Sequence, residues 1–185
     1  MGKRVYLPFL LAGLWLGVAL GVAGCAPVAD STPAPTPIPD ELGWRDIPLT
    51  DVISGEEFTL SGFEGQVVIV DLMAVWCINC LLQQQQIQIA SAHWSDDEVV
   101  VVSLDVEPNE TQTILRNHAQ DNNIAWRSAV APQSMIDRLV AEFGVMAINV
   151  TATPLIFISP DGSADLIGRG LKPRDVLLDL VAERQ

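Results

Sequence analysis

Two cysteines three positions apart, Cys77 and Cys80 in the stretch VVIVDLMAVWCINC, carry the most reactive chemistry in this chain. Such a pair can hold a metal, attach a haem, staple a fold or pass electrons. Haem attachment needs a histidine directly after the second cysteine, and the residue there is Leu81. Structural zinc needs four ligands, and the two histidines, His93 and His118, fall on different predicted helices with no ligand spacing between them. Electron transfer fits better. Cys77 stands where a Val-rich strand gives way to a helix, and free N–H groups and the helix dipole favour a thiolate there. Cys80, one turn further in, is placed to attack a mixed disulfide formed at Cys77.

The elements that must hold this pair follow from the hydrophobic pattern. Residues 67–72 form a continuous Val/Ile-rich run of the kind buried on both faces of a parallel sheet. Residues 77–93 read as a helix with Ile78, Leu82, Gln85 and Ile89 along its apolar stripe, and residues 83–86 as a solvated glutamine face. A second buried strand is predicted over 99–104, a helix over 110–121 after Pro108-Asn109, and a short strand over 124–130. A helix over 133–143 closes at Gly144. Strands over 154–159 and 164–168 make a hairpin around Pro160-Asp161-Gly162, and a last helix runs over 172–183. Ahead of all these, 44–49 and 56–60 look like two short strands around Ser54-Gly55. The order predicts an α/β fold: a mixed sheet with helices on both faces and an N-terminal β-hairpin extension. Trp44, Trp94 and Trp126 are assigned to packing. Asp71 lies between Val70 and Leu72 in the first buried strand, where an acid is costly unless paired or functional, and its pKa is expected to rise.

The chain opens MGKR, continues with an apolar run over 5–23, and reaches Gly24 and Cys25, the marks of an export signal. The run is also long enough to span a bilayer, and an uncleaved anchor is the alternative. Val22, Ala23, Gly24 and Cys25 resemble the lipobox of bacterial lipoproteins, which implies cleavage after residue 24 and a lipid anchor on Cys25. The segment 26–40, APVADSTPAPTPIPD, has no apolar periodicity and reads as an extended tether. The expected organisation is a signal peptide over 1–24, a tether over 25–43 and one domain over 44–185. With Lys3 and Arg4 removed, eight basic side chains face 23 acidic ones, a net charge of −15, which makes nucleic acid a poor partner. With Cys25 lipidated, only Cys77 and Cys80 remain, too few for a structural disulfide framework.

WCINC after a Val-rich strand resembles the active-site motif of the thioredoxin superfamily, and further residues match. Asp71 stands six positions before the first cysteine, Trp76 directly before it, and Thr153-Pro154, followed by LIFISPDG, occupies the place of the family's cis-proline. The segment EEFTLSGFEGQVVIVDLMAVWC is similar to the start of the TlpA/ResA branch, the membrane-tethered extracytoplasmic thioredoxins. The resemblance covers nearly all of 44–185. It implies catalytic roles for Cys77, Cys80 and Asp71, substrate contacts from Trp76, Thr153 and Pro154, and no cofactor beyond the redox-active disulfide. Protein thiols or disulfides would be the substrates and a membrane electron donor the partner. Gln83 and Gln85 depart from the glutamate and proline common in that branch, and Ile78-Asn79 between the cysteines gives no indication of a strongly oxidising potential. A Sco-like copper metallochaperone is the alternative, against which stands the lack of any histidine after His118. A thiol peroxidase would need Thr-x-x-Cys, and Ala74 and Cys77 stand in the threonine's place.

Overall fold

The computed structural model describes Gly2 and residues 42–185; the rest of the expected signal segment, Cys25 and nearly all of the tether lie outside the described residues. A short antiparallel pair, β1 (Leu49–Thr50) and β2 (Glu57–Phe58), precedes the main sheet. The main sheet has five strands in the order β5-β4-β3-β6-β7. Its strands are β3 (Val67–Met73), β4 (Val99–Asp105), β5 (Arg127–Val130), β6 (Leu155–Ile158) and β7 (Ala164–Ile167). β3, β4 and β5 are parallel, and β6 and β7 continue the sheet antiparallel.

β3 is buried at every position, as a continuous apolar run between two covered faces requires. The helices joining these strands are α1 (Ile78–Ser91), α2 (Gln112–Asp121) and α3 (Gln133–Phe143), and α4 (Arg174–Ala182) follows β7. Ile87 and Ala90 of α1 pack with Leu177 and Val181 of α4 over Val67, Ile69, Val101 and Phe157. Met135, Ile136 and Leu139 of α3 join Val68, Val70, Leu72 and Leu104 in the second core. The alternation of side chains along β3 therefore directs Val67, Ile69 and Asp71 toward α1 and α4.

The predicted strand over 44–49 is corrected: Trp44–Asp46 is a 3-10 turn, and only Leu49–Thr50 is strand. Trp44 is buried there and donates its indole N–H to Glu142 at 2.8 Å. The face assigned to α1 is also corrected. Ile78, Leu82, Gln85 and Ile89 are exposed, while Cys80, Gln83, Gln84, Ile87 and Ala90 face inward. Two glutamines thus lie inside, against expectation, because buried polar groups on β3, β4 and the turn before α4 offer them partners.

Candidate active site

Cys77 is the N-cap of α1, with extended backbone, and its sulfur accepts the Cys80 N–H at 3.2 Å. Cys77 and Cys80 are disulfide-bonded, their Cα atoms 5.3 Å apart, as one turn of helix places them. Both are buried, Cys77 exposing 3% and Cys80 1% of their surface. The carbonyl oxygen of Val150 lies 3.5 Å from the Cys77 sulfur and 3.3 Å from that of Cys80. An acceptor in this position welcomes a thiol proton and opposes a thiolate, whereas the helix N-terminus favours the thiolate. Trp76, at 59% exposure, and Ile78, at 66%, present an apolar surface beside the covered pair.

Asp71 is fully buried under α1. Its Oδ2 accepts from Gln84 Nε2 at 3.1 Å and from the Ser103 hydroxyl at 3.2 Å, while Oδ1 has no hydrogen-bond partner among the described residues. Burial pushes the carboxyl from 3.8 up to about 7, against the opposing pull of Gln84, Ser103 and the Lys172 charge. Gln84 follows Cys80 by four residues, and both face inward, so the carboxyl is held about one helical turn below the second sulfur. Gln84 Oε1 meets His118 Nε2 at 2.9 Å. An amide oxygen only accepts, so the ring carries its hydrogen on Nε2, which leaves Nδ1 to accept from Asn122 at 3.4 Å. Burial lowers the His118 pKa, in keeping with a neutral ring. Ser103 in turn accepts the Trp126 indole N–H at 2.9 Å.

Lys172 is the second buried ion of the site. Burial lowers its pKa to about 8, with Asp71 opposing the shift. Its ammonium donates to the carbonyl of Thr153. Gln83 fixes its backbone from both sides, accepting from Lys172 N at 2.7 Å and donating to Lys172 O at 3.1 Å.

The expected cis-proline is corrected. No peptide bond among the described residues is cis, and the bend before Pro154 is made by Thr153 in the left-handed region, φ 49°. That conformation is unfavourable for a β-branched residue, and the Lys172 bond to its carbonyl helps hold it. Thr153 and Pro154 are both buried, and the Pro154 carbonyl accepts from Leu72 N at 3.2 Å. The fold therefore brings Cys77, Cys80, Trp76, Asp71 and the 150–154 segment to one end of the sheet.

Sequence reasoning missed four members of this site: Ser103, Gln84, His118 and Lys172. Ser103 interrupts a run of four valines and pairs in register with Asp71. Lys172 is the sole lysine beyond Lys3, a signal that was present in the sequence. Gln84 and His118 carried no such mark. Among the described residues, no group of three histidine, cysteine or acidic side chains is placed to hold a metal ion.

No protein-family model matches the chain. No curated protein matches it in sequence. Solved structures do match. A thiol:disulfide interchange protein of the thioredoxin family from Chlorobium tepidum superposes with a TM-score of 0.64 at 18% identity, covering 75% of this chain and 92% of its own. A secreted Mycobacterium tuberculosis disulfide oxidoreductase homologous to E. coli DsbE gives 0.59 at 15% identity, with 76% and 97% covered. The exposed lipoprotein thioredoxin Etrx1 of Streptococcus pneumoniae gives 0.59 at 20% identity, with 74% and 98% covered. Strand order, the helix that starts at Cys77 and these superpositions together give the chain the thioredoxin fold.

Proposed function

We propose that the chain is a thiol-disulfide oxidoreductase that reduces or exchanges protein disulfides through Cys77 and Cys80. One observation carries this reading: a bonded cysteine pair at a helix N-terminus, with a buried carboxyl whose pKa lies near neutrality one turn beneath it. In the reduced enzyme, the Cys77 thiolate attacks a substrate disulfide. A Cys77–substrate bond forms, the substrate S–S bond breaks, and one substrate thiolate leaves. Cys80 then gives its proton to the Asp71 carboxylate and attacks the Cys77 sulfur. The Cys77–Cys80 bond forms, and the second substrate thiolate departs and takes up the proton. Two electrons pass to the substrate, and a dithiol donor must restore the pair. Trp76 and the backbone around Thr153 and Pro154 receive the substrate polypeptide. That requires the Val150 carbonyl to give way, since it covers both sulfurs.

The same reading places the domain outside the cytoplasm on a lipid anchor at Cys25. The lipobox-like residues 22–25 support it, as does the likeness to proteins described as secreted and as an exposed lipoprotein. Among the described residues no helix is long and apolar enough to cross a membrane. Labelled palmitate incorporated by the wild type and lost in Cys25→Ser tests the anchor. Reduction of insulin disulfides by the wild type, lost in Cys77→Ser, tests the activity; a Cys80→Ser variant then traps mixed disulfides with its physiological substrates. Stoichiometric Cu(I) binding with no insulin reduction would overturn the oxidoreductase in favour of a copper chaperone.

A further inference from the structure

A second group of acids, separate from Asp71, grips the turn that carries the nucleophile. β4 ends at Asp105, which is wholly buried. Its Oδ1 accepts Glu107 N at 2.9 Å, and its Oδ2 meets no donor among the described residues. Glu110, another carboxyl, stands close enough to act on it and raises its pKa. Glu110 Oε2 accepts the Val75 N–H at 2.8 Å, and Glu107 Oε2 accepts the Trp76 indole N–H at 3.2 Å. The two residues ahead of Cys77 are thus both held by one acidic turn, and the Cys77 N–H bonds back to Ala74 at 3.0 Å within the same loop.

Two neighbouring carboxylates, one of them cut off from water, resist ionising together. A single proton between them supplies the donor that Asp105 Oδ2 lacks. Burial and the charges of Glu110 and Glu107 hold the Asp105 carboxyl well above the usual range, at about 8. Among the described residues, the charges that act on Asp105 are those of Glu110 and Glu107, and His118 of α2 feels the Glu110 charge. The register neighbours of Asp105, Met73 of β3 and Val130 of β5, are uncharged. The pair is therefore stable with one proton and is driven apart without it.

We infer that Asp105 and Glu110 share one proton and act as a clamp that positions the Val75–Trp76–Cys77 turn, so that loss of the proton slows attack by Cys77. The inference rests on Cys77 being the nucleophile, and both acids are positioning residues. Proton loss adds negative charge beside the turn, which disfavours the Cys77 thiolate, and repels Glu110 from the Val75 amide.

Alkylation of Cys77 by iodoacetamide in the reduced full-length protein, followed against pH, tests this without any disulfide substrate. Failure of the clamp is thereby separate from failure of the oxidoreductase reading. In the wild type the rate rises as the thiol ionises and then dips above neutrality as the shared proton leaves. Glu110→Gln keeps an acceptor for Val75 and presents an amide donor to Asp105, imitating the protonated pair. It should erase the upper inflection while leaving the rate at pH 7 within about twofold. Asp105→Asn should do the same from the other side. Glu110→Ala releases the turn, and its rate at pH 7 should fall about tenfold, the equivalent of one unit of thiol pKa. A wild-type upper inflection in either amide variant, or a wild-type rate in Glu110→Ala, overturns the clamp.

Discussion

Replacing Asp71 by Asn separates the catalytic from the structural consequences of burying this carboxyl. Its pKa moves from 3.8 to about 7, and at ~1.36 kcal/mol for each of ~3 units the folded state forgoes ~4 kcal/mol once the group ionises. The sign follows from the direction of the shift. The native state holds the proton longer than the unfolded chain, so the contribution is fully present below about pH 4. It declines as pH rises and is lost once pH passes about 7. Asn keeps the shape and abolishes that decline, so the oxidised variant should match the wild type at pH 4 and exceed it at pH 8. The ~4 kcal/mol is an upper bound, because Lys172 loses the opposite charge that holds its own pKa up. Urea unfolding of both oxidised proteins between pH 4 and 8 reads the difference. The same variant should resolve mixed disulfides slowly, most of all near neutral pH, and recover at alkaline pH where Cys80 ionises unaided. Stopped-flow resolution against pH measures this. Parallel stability curves together with an unchanged rate profile would refute both the buried acid and its role as base.

Alkylation of the reduced protein at neutral pH should modify Cys77 well ahead of Cys80, because Cys77 is the helix N-cap; mapping the label by mass spectrometry checks it, and a faster Cys80 would exchange the assigned roles. Lys172 is the sole lysine after the expected cleavage site, so a lysine-selective NMR label reports it alone: it should titrate near 8 and move lower in Asp71→Asn. A midpoint in the ordinary lysine range would place Lys172 in water. Gln84→Leu should raise the Asp71 pKa further by removing a donor to its Oδ2 and should leave His118 Nε2 unpaired, costing ~1–3 kcal/mol; a resolution rate whose pH midpoint does not move upward would show that Gln84 does not tune the acid.

The sheet was legible because its strands are dense in Val and Ile and its turns carry Gly, Pro and Asp at the required places. β3, β4 and α3 fall almost on their predicted bounds. α1 was read inside out because its glutamines hide the periodicity: amides count as polar in any pattern, yet Gln83 and Gln84 bury themselves on partners contributed by the Lys172 backbone, Asp71, Ser103 and His118. Those partners come from β3, β4, α2 and the turn before α4, and no local window of sequence contains them together. The geometry at Thr153-Pro154 was hidden for a similar reason. Proline marks a bend, but the left-handed Thr153 that makes it, with its carbonyl held by Lys172, has no signal in the local sequence.

The buried glutamines also explain how the site keeps its acid near neutrality. α1 carries no charged residue from Ile78 to Ser91, although the helix lies directly over Asp71. A lysine or arginine at position 84 would bond the carboxylate equally well, and its charge would drag the pKa down by about 1–3 units. Asp71 would then be too weak a base near neutral pH to take the proton from Cys80. The amide of Gln84 fixes the carboxyl through a neutral donor, with His118 Nε2–H fixing the amide in turn, so orientation is obtained without charge. Among the described residues, the cation that acts on the acid is Lys172, itself weakened by burial and already engaged with the Thr153 carbonyl. Gln84→Lys is the direct test of this division: it should lower the Asp71 midpoint in the resolution profile by at least about one unit, and an unmoved midpoint would show that the neutrality of α1 has no bearing on the base.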